Sequence, residues 1–130
     1  MKIQERFIAV KYLPEKVSAK EGRAIFLDFQ ASMEVDRPRI VIDCSKLREL
    51  DKPAVHLLLC CLKEVMKRNG DVKLAALPPG SAAVQERTGM ARLFDIHDTA
   101  DEAVESFHRL PTARGPQQDA SGPQRGGDRD

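Results

Sequence analysis

Apolar residues recur along this chain in two rhythms, and the switches between them lay out its elements. Phe7 to Leu13 mixes alternation with apolar density and stops at Pro14, the mark of a strand. Ser18 and Glu21 then stand in capping-box spacing, in which each side chain bonds the other residue's backbone amide. Ile25, Phe29 and Ser32 or Met33 follow at helical spacing, which predicts a helix to about Glu34 that Asp36, Arg37 and Pro38 break. Ile40 to Ile42 is a short continuous β-branched run ending in Asp43, the pattern of a central strand buried on both faces. A longer helix is predicted over Asp51 to Asn69, with Gly70 as a left-handed stop. Asp51 can cap its first amides, and Pro53 is tolerated because amides of the first turn have no intrahelical acceptor.

Val72 to Leu77 reads as the next strand, stopped by Pro78 and Pro79. Ser81 to Thr88 reads as a short helix ended by Gly89, and Leu93 to Ile96 as a short strand. Thr99 and Glu102 form a second capping box before Ala103, Val104, Phe107 and Leu110, so a final helix runs to Pro111. Strands alternating with helices imply right-handed crossovers and a mostly parallel sheet, hence an α/β domain over residues 1–110 with four or five strands and about four helices. Residues 111–130 contain no large apolar side chain. Such a segment cannot bury enough surface to offset its ordering entropy, so a disordered tail is expected.

A chain of 130 residues is long enough for one domain with a real core and short for two. Its 21 Lys plus Arg balance 20 Asp plus Glu, with a net charge of +1 and the signs interspersed. That balance makes no electrostatic case for a nucleic-acid or membrane partner. Met1 to Arg6 has no secretory leader pattern, and the longest apolar run, Ala54 to Leu62, is interrupted by His56 and ends at Lys63, so no membrane insertion is expected. Cys44, Cys60 and Cys61 form no C-x-x-C pair, and their odd number argues against a closed disulfide set. A reduced, cytoplasmic protein is the simplest reading.

No Gly-rich phosphate loop, G-x-S-x-G elbow or H-E-x-x-H motif occurs, so neither an enzyme nor a cofactor is expected. Asp43 and Asp51 could suggest a response-regulator type of phospho-acceptor pocket. That pocket also needs a cluster of acids after the first strand, and Pro14-Glu15-Lys16 supplies one acid only.

The passage from Ile40-Val41-Ile42-Asp43 through a loop into the helix opened by Asp51 resembles the STAS domain (sulfate transporter and anti-sigma factor antagonist). Gly70 to Ala75, Glu86 to Ile96 and Thr99 to Val104 are similar to later segments of that family in order and spacing, so that the resemblance covers roughly Arg6 to Leu110. In the family the helix start usually reads Asp-Ser-Ser/Thr-Gly-Leu; here those slots hold Asp51, Lys52, Pro53, Ala54 and Val55. The usual phosphorylation site falls on Pro53, and Lys52 places a fixed positive charge where the first hydroxyl would be. A phosphate there would add about −1.5 to −2 charge and disrupt docking; this chain has no switch at that slot.

The resemblance implies a non-catalytic regulatory binding domain, an anti-sigma factor antagonist that docks its loop and central helix on a serine-kinase-type anti-sigma factor. The alternative is a STAS subunit of an ABC-type transporter or of a stress-signalling scaffold. The candidate docking residues are Asp51, Lys52, Pro53, Ala54, Val55 and Leu59. Apolar positions of the central helix, from Ala54 to Met66, span roughly 200° of arc, more than one sheet face needs. Either neighbouring helices bury the excess or one edge around Leu59 faces a partner. Ser45 is the only hydroxyl in the loop and is either a displaced phosphosite or a turn residue bonding the local backbone. Ser18 reads as a cap. His56 and Cys60, four apart, are two potential metal ligands where a site needs more, and Cys60 and Cys61 read as small apolar residues with no activating base.

Overall fold

Ile40 and Ile42 point to one face of a sheet and Val41 to the other, and each face has its own core. The computed structural model describes residues 8–108; the expected tail, the final turn to Leu110 and Phe7 lie outside the described residues. Four strands, β1 (Ile8–Tyr12), β2 (Arg39–Asp43), β3 (Asp71–Ala75) and β4 (Asp95–His97), are all parallel and lie in the order β1-β2-β3-β4. The helices are α1 (Ala19–Met33), α2 (Lys52–Met66), α3 (Ala82–Thr88), α4 (Met90–Leu93) and α5 (Ala100–Phe107). This is the expected α/β architecture, with one helix more than anticipated.

Parallel neighbours joined in sequence order keep their crossover helices on one face. Accordingly α1 and α2 share the larger core, where Phe29, Met33, Leu57, Leu58 and Val65 meet Ile40, Ile42, Val72 and Leu74. Among the described residues the opposite face is covered by α5, through Ala103 against Val41 and Ala75. Ile40, Val41 and Ile42 are essentially fully buried, as expected of a central strand.

The predicted caps form. Ser18 Oγ accepts from Glu21 N–H at 3.0 Å while Glu21 Oε1 accepts from Ser18 N–H at 3.1 Å, and Asp51 Oδ1 accepts from Ala54 N–H at 3.2 Å. Thr99 Oγ1 accepts from Glu102 N–H at 3.1 Å, so its box is made on one side.

Two expectations are corrected. Asn69, not Gly70, takes the left-handed backbone after α2, with φ 61°. Gly70 is needed for a different reason: a Cβ there would stand 2.2 Å from the Pro38 carbonyl oxygen. The segment predicted as a strand from Leu93 begins instead with the single turn of α4. Met90 is fully buried and its carbonyl accepts from Phe94 N–H at 2.9 Å, while Leu93 faces solvent, so the strand starts only at Asp95.

On the α5 side a polar clamp holds the helix to the sheet. Asp95 Oδ2 accepts from Lys73 Nζ at 2.7 Å and lies 3.0 Å from His97 Nε2, which is 3.3 Å from Ser106 Oγ on α5. The Lys73 ammonium also sits 4.6 Å from the centre of the Phe107 ring. Burial pushes the Asp95 carboxyl up, but hydrogen bonds and charge from Lys73 and His97 outweigh it and hold its pKa below the ordinary value. A carboxyl depressed by folding contributes stability above about pH 4, and that contribution is lost as pH falls through the folded value. The gap in urea midpoint between wild type and Asp95→Asn is therefore expected to narrow from neutral pH to about pH 3. A gap independent of pH would show that the clamp does not titrate.

Candidate functional site

The loop between β2 and α2 lies at the carboxyl ends of the strands, where open parallel sheets carry their binding surfaces. Cys44 N–H bonds the Ala75 carbonyl at 2.8 Å, Arg48 N–H bonds the Glu15 carbonyl at 2.9 Å, and Leu47 and Leu50 are buried, so the loop is pinned to the core at several points. Asp43 accepts Ser45 N–H at 2.8 Å, the Asx-turn bond that starts the loop. The turn is thus closed by Asp43, and the exposed Ser45 hydroxyl has no hydrogen bond among the described residues.

Asp51 then opens α2 in extended backbone, φ −95° and ψ −179°, with Lys52 exposed and Pro53 half-buried in the first turn. No acidic residue stands in that turn. Ala54 is fully buried and Val55 nearly so, which makes Ala54 a packing residue beneath the surface. Leu59 is half-buried. The broad apolar arc of α2 is largely covered by neighbouring elements; Leu59 at its edge and Met66, 61% exposed at the helix end, are the parts that are not.

A groove of about 940 Å³ runs over this half of α2. Asp51, Lys52, Pro53, Val55 and Leu59 all line it, so the structure brings these candidates together, leaving Ala54 underneath and Ser45 outside. Arg23 and Phe26 of α1 and Val84, Arg87 and Thr88 of α3 complete the walls. None of these five was singled out in the sequence, because they are roughly 20 to 30 residues from α2 along the chain. One signal was present: Gly22 inside α1, which costs roughly 1 kcal/mol relative to alanine in an ordinary helix and therefore marks close helix packing. It is buried, and a Cβ there would stand 4.0 Å from Leu57 Cβ of α2.

Cys60 Sγ lies 3.5 Å from His56 Nε2 on the groove wall. No cluster of three or more His, Cys, Asp or Glu able to hold a metal ion occurs among the described residues. Burial, with a smaller push from Asp43, raises the Cys44 thiol to about 12, and burial with Cys60 does the same for Cys61, so both stay protonated. Asp95, His97 and Ser106 have the composition of a hydrolase triad but not its geometry. Both neighbours contact the same imidazole nitrogen, Nε2, whereas a triad histidine bonds nucleophile and acid through different nitrogens. A second, smaller pocket of about 350 Å³, lined by Arg39, Gly70, Asp71 and Phe107 among others, lies at the opposite end of the strands.

A family profile described as the STAS domain matches residues 7–103. Several solved structures share the fold. An anti-sigma-factor antagonist (STAS) domain protein from Planctomyces limnophilus superposes with a TM-score of 0.67 at 21% identity, covering 77% of this chain and 90% of that one. A candidate anti-sigma factor antagonist from Thermotoga maritima gives a TM-score of 0.67 at 19% identity, covering 77% and 88%. No curated protein sequence matches the chain. No described helix is long and apolar enough to cross a membrane.

Proposed function

Because the chain belongs to the STAS domain family, we propose that it is a protein-binding regulatory domain of the anti-sigma factor antagonist kind, docking through the groove over the first half of α2 without control by phosphorylation there. The observation that carries this reading is the opening of α2. Lys52 is exposed and Pro53 half-exposed beside an apolar groove, where a phosphorylatable member would present hydroxyls. Neither the Lys52 ammonium nor the Pro53 ring carries a hydroxyl that a serine kinase could phosphorylate, so the docking surface has one state at this slot. Binding is then set by the concentration of partner and not by modification of this chain.

The partner class is a serine-kinase-type anti-sigma factor. The same unswitched surface would suit a subunit of a transporter or signalling scaffold, since a permanent assembly has no use for a phosphate that opens it. Incubation with a serine-kinase-type anti-sigma factor from the same genome, in the presence of ATP, distinguishes the two. A stable complex with no phosphate on residues 51–55 is expected. Labelling of Ser45 that abolishes the complex would replace this reading by a displaced switch, and no complex at all would turn it toward the transporter or scaffold role.

A further inference from the structure

The side chains around the groove are unevenly charged. Arg23, Lys52 and Arg87 line it from three different helices, all exposed, and none forms an ion pair among the described residues. Two carboxylates also line it, and one of these, Asp51, already accepts the Ala54 amide as the helix cap. That leaves Glu49 as the one uncommitted acid against three uncommitted cations. The α2 N-terminus adds its own positive end beside Lys52. Between the cations the floor is apolar, with Phe26, Val55, Leu59 and Val84.

We propose that the groove receives an amphipathic helix of the partner protein, apolar along one face and acidic along both edges of that face. This rests on the docking role proposed above and adds the chemistry of the segment that docks. A groove walled by helices takes a helix laid into it, whereas strand addition needs a free sheet edge, and α2 lies on a sheet face. A single carboxylate, as on a fatty acid, would neutralise one of three cations spread over three helices. A segment with acids on both edges pairs with all of them. Complementary charge of this kind steers encounter and selects against basic partners more than it adds raw affinity.

The test uses the full chain and two labelled peptides. Both carry leucines at i, i+3, i+4 and i+7; one is flanked by glutamates, the other by lysines at the same places. Fluorescence anisotropy at low salt is expected to give the glutamate peptide at least about tenfold tighter binding, with the preference shrinking as salt screens it. In the variant Arg23→Glu/Lys52→Glu/Arg87→Glu the preference should reverse. If that variant does not fold, by circular dichroism, Arg23→Glu and Lys52→Glu singly should each reduce the preference, and no reduction in either overturns the proposal.

Amide chemical shifts of Val55 and Leu59 separate the two ways of failing. Equal affinity for both peptides with shifts at these residues would remove the acidic partner and leave the docking role. No shifts with either peptide would remove both. Displacement of the glutamate peptide by laurate at similar concentration would assign the groove to a small amphiphile and overturn the partner helix.

Discussion

Gly70→Ala is expected to lower the melting temperature by more than about 10 °C. The added Cβ would stand 2.2 Å from the Pro38 carbonyl oxygen and 2.6 and 2.7 Å from its ring carbons. None of these is the free end of a flexible chain, so relief requires moving the backbone between α1 and β2. That carbonyl also accepts Asp71 N–H at 2.9 Å, the bond that sets the start of β3 against β2. Overpacking a tight site costs about 1–3 kcal/mol and loss of the bond about 1 more. A total of about 3 kcal/mol moves the midpoint of a domain this size by roughly 12–24 °C. Gly80→Ala is the control: its φ is +81°, so a side chain there is strained, but nothing lies within 4 Å. Strain without a clash costs about 1 kcal/mol. Equal melting of the two variants would show that the Pro38 turn yields and that Gly70 has no special place in the fold.

Lys52→Glu is expected to weaken capture of the natural partner at least about tenfold, worth ~1.4 kcal/mol, while thermal stability stays level or rises slightly. The reasons for the two halves are separate. Lys52 is exposed at the first position of α2, where an acid is favoured by the helix dipole by about 0.3–1 kcal/mol and where the chain now has none. The substitution therefore cannot act through unfolding. At the rim of the groove, however, it replaces an uncommitted cation by an anion next to Glu49 and Asp51, turning the local field against an acidic segment. Lys20→Glu, also exposed in a helix first turn but not part of the groove, is the comparison. If calorimetry finds Lys52→Glu binding as wild type while Lys20→Glu does not, the docking surface lies on another part of the domain.

The two variants probe features of unequal legibility. The hydroxyl-free opening of α2 was readable from five consecutive residues, Asp51 to Val55, because a cap and its first turn are local chemistry. The groove beside it was not. Of its residues, Lys52, Pro53, Val55 and Leu59 followed from the central helix and its overwide apolar arc. Arg23, Phe26, Val84 and Arg87 enter only when α1 and α3 come to lie beside α2. Ala54 shows the converse, since it belongs to the same sequence run and yet is buried completely. A one-residue step along a helix turns the side chain by about 100°, enough to take it from rim to core.

What the sequence determined by itself is what neighbours within four residues decide. The capping pairs Ser18 with Glu21 and Asp51 with Ala54 N–H, the β-branched run of Ile40 to Ile42 and the alternation of strands with helices all rest on interactions of that range. Tertiary structure decided the rest. Gly70 reads as a helix stop, but Asn69 takes the left-handed position, and Gly70 is required instead where Pro38 of another segment presses on the backbone. Leu93 looked like strand, yet burial of Met90 and Phe94 on one side of a single turn left it in solvent. The unpaired charges around the groove belong to the same class. Lys52 is marked by its place in the opening of α2, but Arg23 and Arg87 have nothing in their local sequence to mark them, and the joint effect arises because packing sets all three around one apolar floor, where Coulomb interaction depends on distance through space and not along the chain.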